Sequence, residues 1–323
     1  MTEALNRRRF MSAAGCVCVG FAVDRVWGSS PAGGQSRPAD MAVTHDPDPR
    51  AATERALAAV IGGAALVERG SVVLVNANTA FQSRGSIVRP QVLLAVLRRC
   101  FADGAARVEL AKAVPEGYWN PVADEAGAAE LIRTVRLCPT RMHDTELPGA
   151  ERLGVARCLV ALGEADHLIN VSIAKDHVGV RFSGALKNVM GLTAFRPTNL
   201  FCHRGADPDR KDTDIDHLAA CIAELNLLRR PDLHVLDATE FLISNGPRGP
   251  GPLGRADLVL ASRDPVAADV RAMAVVGRTL GDVPVIAHAT ALGIGTVDMS
   301  SLVVLDEAPE NPSAEPGNGT GIG

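Results

Sequence analysis

Short apolar runs, several of them ending in a polar residue, alternate with segments of helical period along most of this 323-residue chain. That alternation constrains the fold more than any other feature, because strands separated by helices pair in parallel and bury both faces of their sheet. Apolar composition predicts strands over residues 71–75, 107–110, 167–173, 233–236, 257–261 and 301–305. Helical period predicts helices over 51–68, 90–102, 123–135, 183–190, 214–228 and 264–280. In 214–228, Ile215, Leu218, Ile222 and Leu225 share one face. The helix at 264 takes Asp264 as its N-cap and Pro265 as its first residue. The expected fold class is therefore α/β: a mainly parallel sheet flanked by helices, in a single large domain over 51–308.

The N-terminus reads as an address. Arg7, Arg8, Arg9 and Phe10 precede an apolar stretch from Met11 to Val23, and a small, polar, Gly- and Ser-rich run follows. A charged region, a short apolar core and a small-residue exit describe an export signal. Consecutive arginines before Phe point to the twin-arginine type, so the twin-arginine translocase is an expected partner and the mature protein is expected in the periplasm or outside the cell. The apolar stretch is too short and too Gly-broken to span a bilayer comfortably. Residues 1–30 are assigned to the signal, 31–50 to a Pro-, Gly- and Asp-rich linker, and 309–323 to a disordered tail.

Composition excludes some partners. The chain has only two Trp, one Tyr and eight Phe, so base-stacking platforms for nucleic acid are not expected. A net charge of −4, made up of +2 over residues 1–30 and −6 over the remainder, makes a poor phosphate-backbone binder. Beyond the signal's Cys16 and Cys18, five cysteines remain, and none forms a C-x-x-C pair or a ferredoxin-like run. No iron–sulfur cluster is expected, and the cysteines read as small core residues with room for one disulfide.

Phosphate loops, G-x-S-x-G elbows, H-E-x-x-H and an early G-x-G-x-x-G are all missing. Position is the remaining guide, since ligands in open α/β sheets bind outside the carboxyl ends of the strands. There the sequence places Asn76 and Asn78, then Lys175 and His177, then Asp237. The densest polar cluster is NVSIAKDHVGVRFSGALKNVMG, which adds Lys187 and Asn188. Two lysines and a histidine that converge would hold a phosphate or carboxylate, or lower one another's pKa toward nucleophilic or acid–base work. Solvated loop residues, or lysines paired with Asp237, Asp264 or Asp269, are the simpler reading of the same spacing. Asp264 as a cap and Asp269 one turn into its helix have structural explanations as well. His177 and His203 could ligate a divalent metal with the aspartates, although their spacing is loose. The run GPRGPGPLG over 246–254 reads as a surface loop, with a close ligand approach as the sharper option.

Taken together these residues resemble the domain of unknown function 362 family, over about 72–304. The segments in order are Val75, Asn76, Ala77 and Asn78, then NVSIAKDH with Lys175 and His177. ALKNVMG follows with Lys187, Asn188 and Gly191, then His203, Asp237, Gly246 and Pro247. SRDPVAAD with Asp264, Pro265 and Asp269, and finally Gly293, Ile294 and Gly295, complete the set. Relatives often carry twin-arginine signals, which agrees with the N-terminus. Many have Lys where this chain has Asn76, and some carry a ferredoxin-like cysteine cluster that this chain lacks. The resemblance implies a fold and a shared site but no established reaction. The expected function is an exported enzyme acting on a small anionic molecule, with a redox role as a refinement that no cofactor motif supports. In that reading Lys175, His177 and Lys187 are catalytic, while Asn76, Asn78, Asn188, His203 and Asp237 bind ligand. Asp264 and Asp269 would support the bases or a metal. The alternative is a non-catalytic periplasmic protein that binds a ligand or metal in the same pocket.

Overall fold

Apolar residues in the central strands point alternately to opposite sides, so the sheet they build is buried on both faces. The computed structural model describes residues 38–307 apart from 208, 210 and 211. Its strands are β1 (Met41–His45), β2 (Val72–Ala77), β3 (Arg107–Leu110), β4 (Arg136–Leu137), β5 (Met142–Glu146), β6 (Val155–Leu159), β7 (His167–Ile173), β8 (Lys175–His177), β9 (Arg181–Ser183), β10 (Leu233–Leu242), β11 (Leu253–Ser262) and β12 (Val304–Asp306). The α-helices are α1 (Pro49–Ile61), α2 (Pro90–Ala102), α3 (Ala128–Thr134), α4 (Ala161–Glu164), α5 (Ala185–Asn188), α6 (Leu200–Arg204), α7 (Ile215–Leu225), α8 (Pro265–Met273) and α9 (Pro284–Ala291).

Eight strands form one sheet in the order β12-β1-β11-β10-β7-β2-β3-β4. The pairs β10/β7, β7/β2, β2/β3, β3/β4 and β1/β12 are parallel, and β11 is antiparallel to both β1 and β10. The fold is α/β with a mainly parallel sheet flanked by helices. Val73, Val75, Ile169, Val171 and Ile173 pack on one face with α1 and α2. Leu74, Leu168 and Leu236 pack on the other with α5, α7, α8 and α9.

Chain order decides where a ligand can enter. From β2 the chain runs outward through β3 and β4, then returns to β7 on the opposite side of β2. The carboxyl ends of β2 and β7 thus flank a topological switch point, where the loops leave in opposite directions and open a crevice.

Several elements depart from the sequence expectation. The segment expected as linker up to residue 50 contains β1, a buried strand paired with β11 and β12. Its five residues are too few to show a period beside the Pro- and Asp-rich flanks. The helix expected over 51–68 begins at Pro49 behind the cap Asp48 and stops at Ile61, where Gly62 adopts φ 63°. The helix expected over 264–280 is capped by Asp264 but ends at Met273, before a 3-10 turn that closes on Gly277. The hairpins β5/β6 and β8/β9 were not expected. The export signal read over 1–30 and the tail over 309–323 lie outside the described residues. Among the described residues no helix is long and apolar enough to cross a membrane. Cys100, Cys138, Cys158, Cys202 and Cys221 are all buried free thiols.

Candidate functional site

A cavity of about 250 Å3 lies at the switch point. The segment leaving β2 supplies Asn78 and Phe81, and the one leaving β3 supplies Lys112. Just after β7, β8 contributes Lys175 and His177; α5 brings Lys187 and Asn188, and α6 brings His203. Arg248 arrives from the loop between β10 and β11. No Asp or Glu lines the cavity among the described residues. Three ammonium groups therefore share a small space with no carboxylate in its described lining, and the exposed Arg248 stands at its edge.

Each lysine is held differently. Lys175 is 0% exposed; its Nζ donates to the Ser86 carbonyl and sits 4.8 Å from the Phe81 ring centroid. Burial, with a smaller push from Lys187, lowers its pKa to about 7. Lys187 is half-buried, and its Nζ touches the Met190 thioether at 3.8 Å. Burial lowers it to about 8. Lys112 is also half-buried, and burial draws its pKa down.

The two histidines take opposite tautomers. His177 Nδ1 accepts from the amides of Gly179 at 3.0 Å and Val180 at 3.3 Å, so the ring proton sits on Nε2. Burial first, then Lys187, Lys175 and His203, lower its pKa to about 2, leaving a neutral N–H donor. His203 Nδ1 lies 2.7 Å from the Asn199 carbonyl and must donate to it, which leaves a lone pair on Nε2. Burial lowers its pKa too. Of the pair, His203 has the free base and His177 the free proton donor. The sequence reading gave acid–base work to His177, whose acceptor nitrogen is already occupied.

Behind the cavity wall lies a buried amide network. Asn170 on β7 accepts from Asn76 Nδ2 at 3.0 Å and Asn188 Nδ2 at 2.8 Å. Its own Nδ2 donates to the Ala185 carbonyl at 2.9 Å and to His234 Nδ1 at 3.1 Å. Asn76 donates in turn to the Asn188 carbonyl at 2.9 Å. These bonds clamp α5 against β2 and β7 and so set where Lys187 stands. The sequence reading placed Asn76 among the ligand contacts; it is 0% exposed and belongs to the clamp.

The aspartates also lie outside the cavity lining. Asp269 caps α5, accepting from the amides of Ala185 at 2.6 Å and Leu186 at 3.1 Å. Burial pushes its carboxyl up to about 7 while those amides pull it down. A Cβ on Gly184 would sit 2.2 Å from Asp269 Oδ1, so only glycine admits the carboxylate. Asp264 accepts from the amides of Ala267 and Thr296, each at 2.9 Å. Asp237 accepts from the Arg89 amide at 2.8 Å and from Thr239, on the α2 face of the sheet. A divalent metal would need His177, His203 and these aspartates together; the fold separates them. Among the described residues no three His, Cys, Asp or Glu side chains are placed to hold a metal.

Lys112 and Arg248 were not singled out from the sequence, although a signal for Lys112 exists. The chain has only four lysines among its 33 Lys and Arg residues, and three of them line this cavity. The 246–254 loop, read as surface, is partly built in. A Cβ on Gly246 would come within 1.7 Å of the Asp176 carbonyl, so the loop's first glycine packs on β8 and delivers Arg248. A larger cleft, about 590 Å3, lies between Arg84, Arg89 and Tyr118. Its Glu240 is already bound by Arg84 through two hydrogen bonds.

The family model described as "Domain of unknown function (DUF362)" matches residues 72–274, a span that contains every lysine of the cavity. The chain belongs to the DUF362 family. No curated protein matches this DUF362 chain. Among solved structures it is similar to the lactate racemase apoprotein from Thermoanaerobacterium thermosaccharolyticum, with 12% identity and a TM-score of 0.42, covering 71% of this chain and 55% of that one. A Thermotoga maritima protein matches at 13% identity and a TM-score of 0.34, covering 58% and 51%. The DUF362 chain thus spans about half the length of these solved structures.

Proposed function

We propose that this DUF362 protein is an enzyme that takes a small organic anion into the lysine cavity and acts beside its charged group. The observation that carries the reading is a cavity lined by Lys112, Lys175, Lys187 and Arg248 with no carboxylate among its described lining residues. Buried and half-buried ammonium groups with no carboxylate beside them are costly, and an anionic ligand lowers that cost. Lys112, Lys175, Lys187 and Arg248 hold the anion, His177 donates its Nε2–H, and His203 Nε2 accepts a proton. Asn78 orients the remainder of the ligand.

Melting curves test this directly. Phosphate or a small carboxylate should raise the melting temperature of the wild type. At a hundred times its Kd a ligand adds about 2.7 kcal/mol, worth roughly 5–10 °C in a domain of this size. Lys187→Met should abolish the shift and leave the fold intact. Equal stabilisation of mutant and wild type, or unfolding of the mutant, would turn Lys187 into a scaffold residue. A non-catalytic binding protein would show the shift with no turnover of any bound compound.

Export through the twin-arginine translocase is part of the same proposal, supported by Arg7, Arg8, Arg9 and Phe10 ahead of an apolar stretch. Replacing Arg7 and Arg8 by Lys should leave the precursor in the cytoplasm, as followed by cell fractionation. Continued export of that double mutant would remove the argument.

A further inference from the structure

Lysine, rather than arginine, at this cavity calls for a reason of its own. Among the described residues every ion pair takes its cation from Arg or His. For gripping a carboxylate or phosphate, Arg is the better residue, because its planar fork donates two parallel hydrogen bonds. Yet three of the chain's four lysines are gathered here. What an ammonium can do and a guanidinium cannot is lose its proton and become a nucleophile.

The three lysines are not equivalent in that task. Lys175 is tied to the Ser86 carbonyl and lies against Phe81. Lys187 Nζ has only a sulfur, the weak acceptor of Met190 at 3.8 Å, as its hydrogen-bond partner among the described residues. Its backbone is rigidly placed, since Asp269 caps α5 and Asn188 is bound by the amide network. A free amine on a fixed base, in a cavity with other cations to anchor a substrate, is the arrangement that imine chemistry requires.

We propose that Lys187 forms an imine with a small 2-oxo acid whose carboxylate is held by Lys175, Lys112 and Arg248. The inference rests on the anion-binding reading above and names its substrate class. Unprotonated Lys187 adds its nitrogen lone pair to the ketone carbon, and the carbonyl electron pair moves to oxygen, which takes up a proton. The amine nitrogen loses a proton to give the carbinolamine. Its lone pair then forms the C=N bond as the C–O bond breaks, the hydroxyl leaves with a proton as water, and loss of the second nitrogen proton gives the neutral imine. Amine and ketone thus give imine and one water, with no oxidant or reductant consumed. Burial assists by holding Lys187 near 8, so a usable fraction is unprotonated at neutral pH. The cavity, about 250 Å3, lies below the 300–1,000 Å3 of pockets for drug-sized ligands and suits a compound of a few carbons.

The test uses the full chain with pyruvate and a hydride reductant, which turns an imine into a stable secondary amine. Intact mass and peptide mapping should find one reduced pyruvyl group, on Lys187. Lys187→Arg keeps the charge but removes the nucleophile, so the adduct should fall at least about tenfold while carboxylates still raise the melting temperature. A carboxylate-induced shift without any adduct at Lys187 overturns the imine and leaves the anion site standing. Labelling spread evenly over Lys211 and the N-terminal amine overturns it as well. Absence of both shift and adduct overturns both readings together.

Discussion

Lys175→Met is expected to raise the melting temperature of the ligand-free protein at pH 6 and, in the same variant, to abolish its response to anions. Met fills most of the space of the lysine stem beside Phe81 while removing a charge that no carboxylate balances. Burial holds Lys175 near 7 in the folded state, against an unfolded value near 10.4. The unfolded chain therefore binds the proton more tightly between those values, and wild-type stability rises as pH climbs from about 7 to about 10. Below pH 7 both states are protonated and the full penalty applies, about 5 kcal/mol at most. Leaving the Ser86 carbonyl without its donor costs about 1–2 kcal/mol of that gain. A net increase of roughly 2 kcal/mol corresponds to about 4–8 °C. Near pH 10 the sign should reverse, because a neutral Lys175 still donates to Ser86 and Met does not. Melting curves at both pH values check this; a loss of stability at pH 6 equal to that at pH 10 would mean that Lys175 is no unbalanced cation.

Asn170→Ala should have the opposite effect, and a larger one. The side chain makes four hydrogen bonds in a region with no access to water, linking Asn76, Asn188, Ala185 and His234. Truncation orphans the Ala185 carbonyl and His234 Nδ1 and frees two amides from their common acceptor. Each buried orphan costs about 1–3 kcal/mol, so a loss of roughly 4 kcal/mol and a fall on the order of 10 °C are expected. Because the clamp also positions α5, the anion-induced shift should disappear with it. Ser172, two residues along the same strand and equally buried, has no partner for its Oγ among the described residues. Ser172→Ala should thus be close to neutral in the same denaturation experiment. Comparable losses in the two variants would mean that strand packing, not the network, is responsible.

The period of the apolar residues made most of the sheet legible. Val73, Val75, Ile169, Val171 and Ile173 are β-branched residues in short runs, and strands there follow from local preference and burial. Asp264 before Pro265 was equally readable, because a cap and its proline are a local arrangement. The polar cluster from Asn170 to Gly191 was visible as a cluster. Its division into cavity and scaffold was not.

Lys175, His177 and Lys187 could be named from the sequence because their segments follow a strand end, where α/β sheets bind ligands. Lys112 occupies the corresponding place after β3 and carries the same signal, reinforced by the scarcity of lysine in the chain. Asp237 shows what sequence position leaves open. It stands on β10 near the same carboxyl edge, but strand residues alternate between faces, and the one that carries His234 toward Asn170 turns Asp237 to α2. Asn76 and Asn188 were recognisable as polar residues beside apolar strands; only the meeting of β2, β7 and α5 decided that they bond chiefly to one another. The sequence by itself determined the elements and the edge of the sheet that holds the site, since both depend on neighbours a few residues apart. Which lysines face one cavity, how Asn76, Asn170 and Asn188 pair and where Asp269 and Asp237 find the amides of Ala185 and Arg89 were decided by tertiary structure. Those partners lie tens to more than a hundred residues away in the chain and meet only after the sheet has formed.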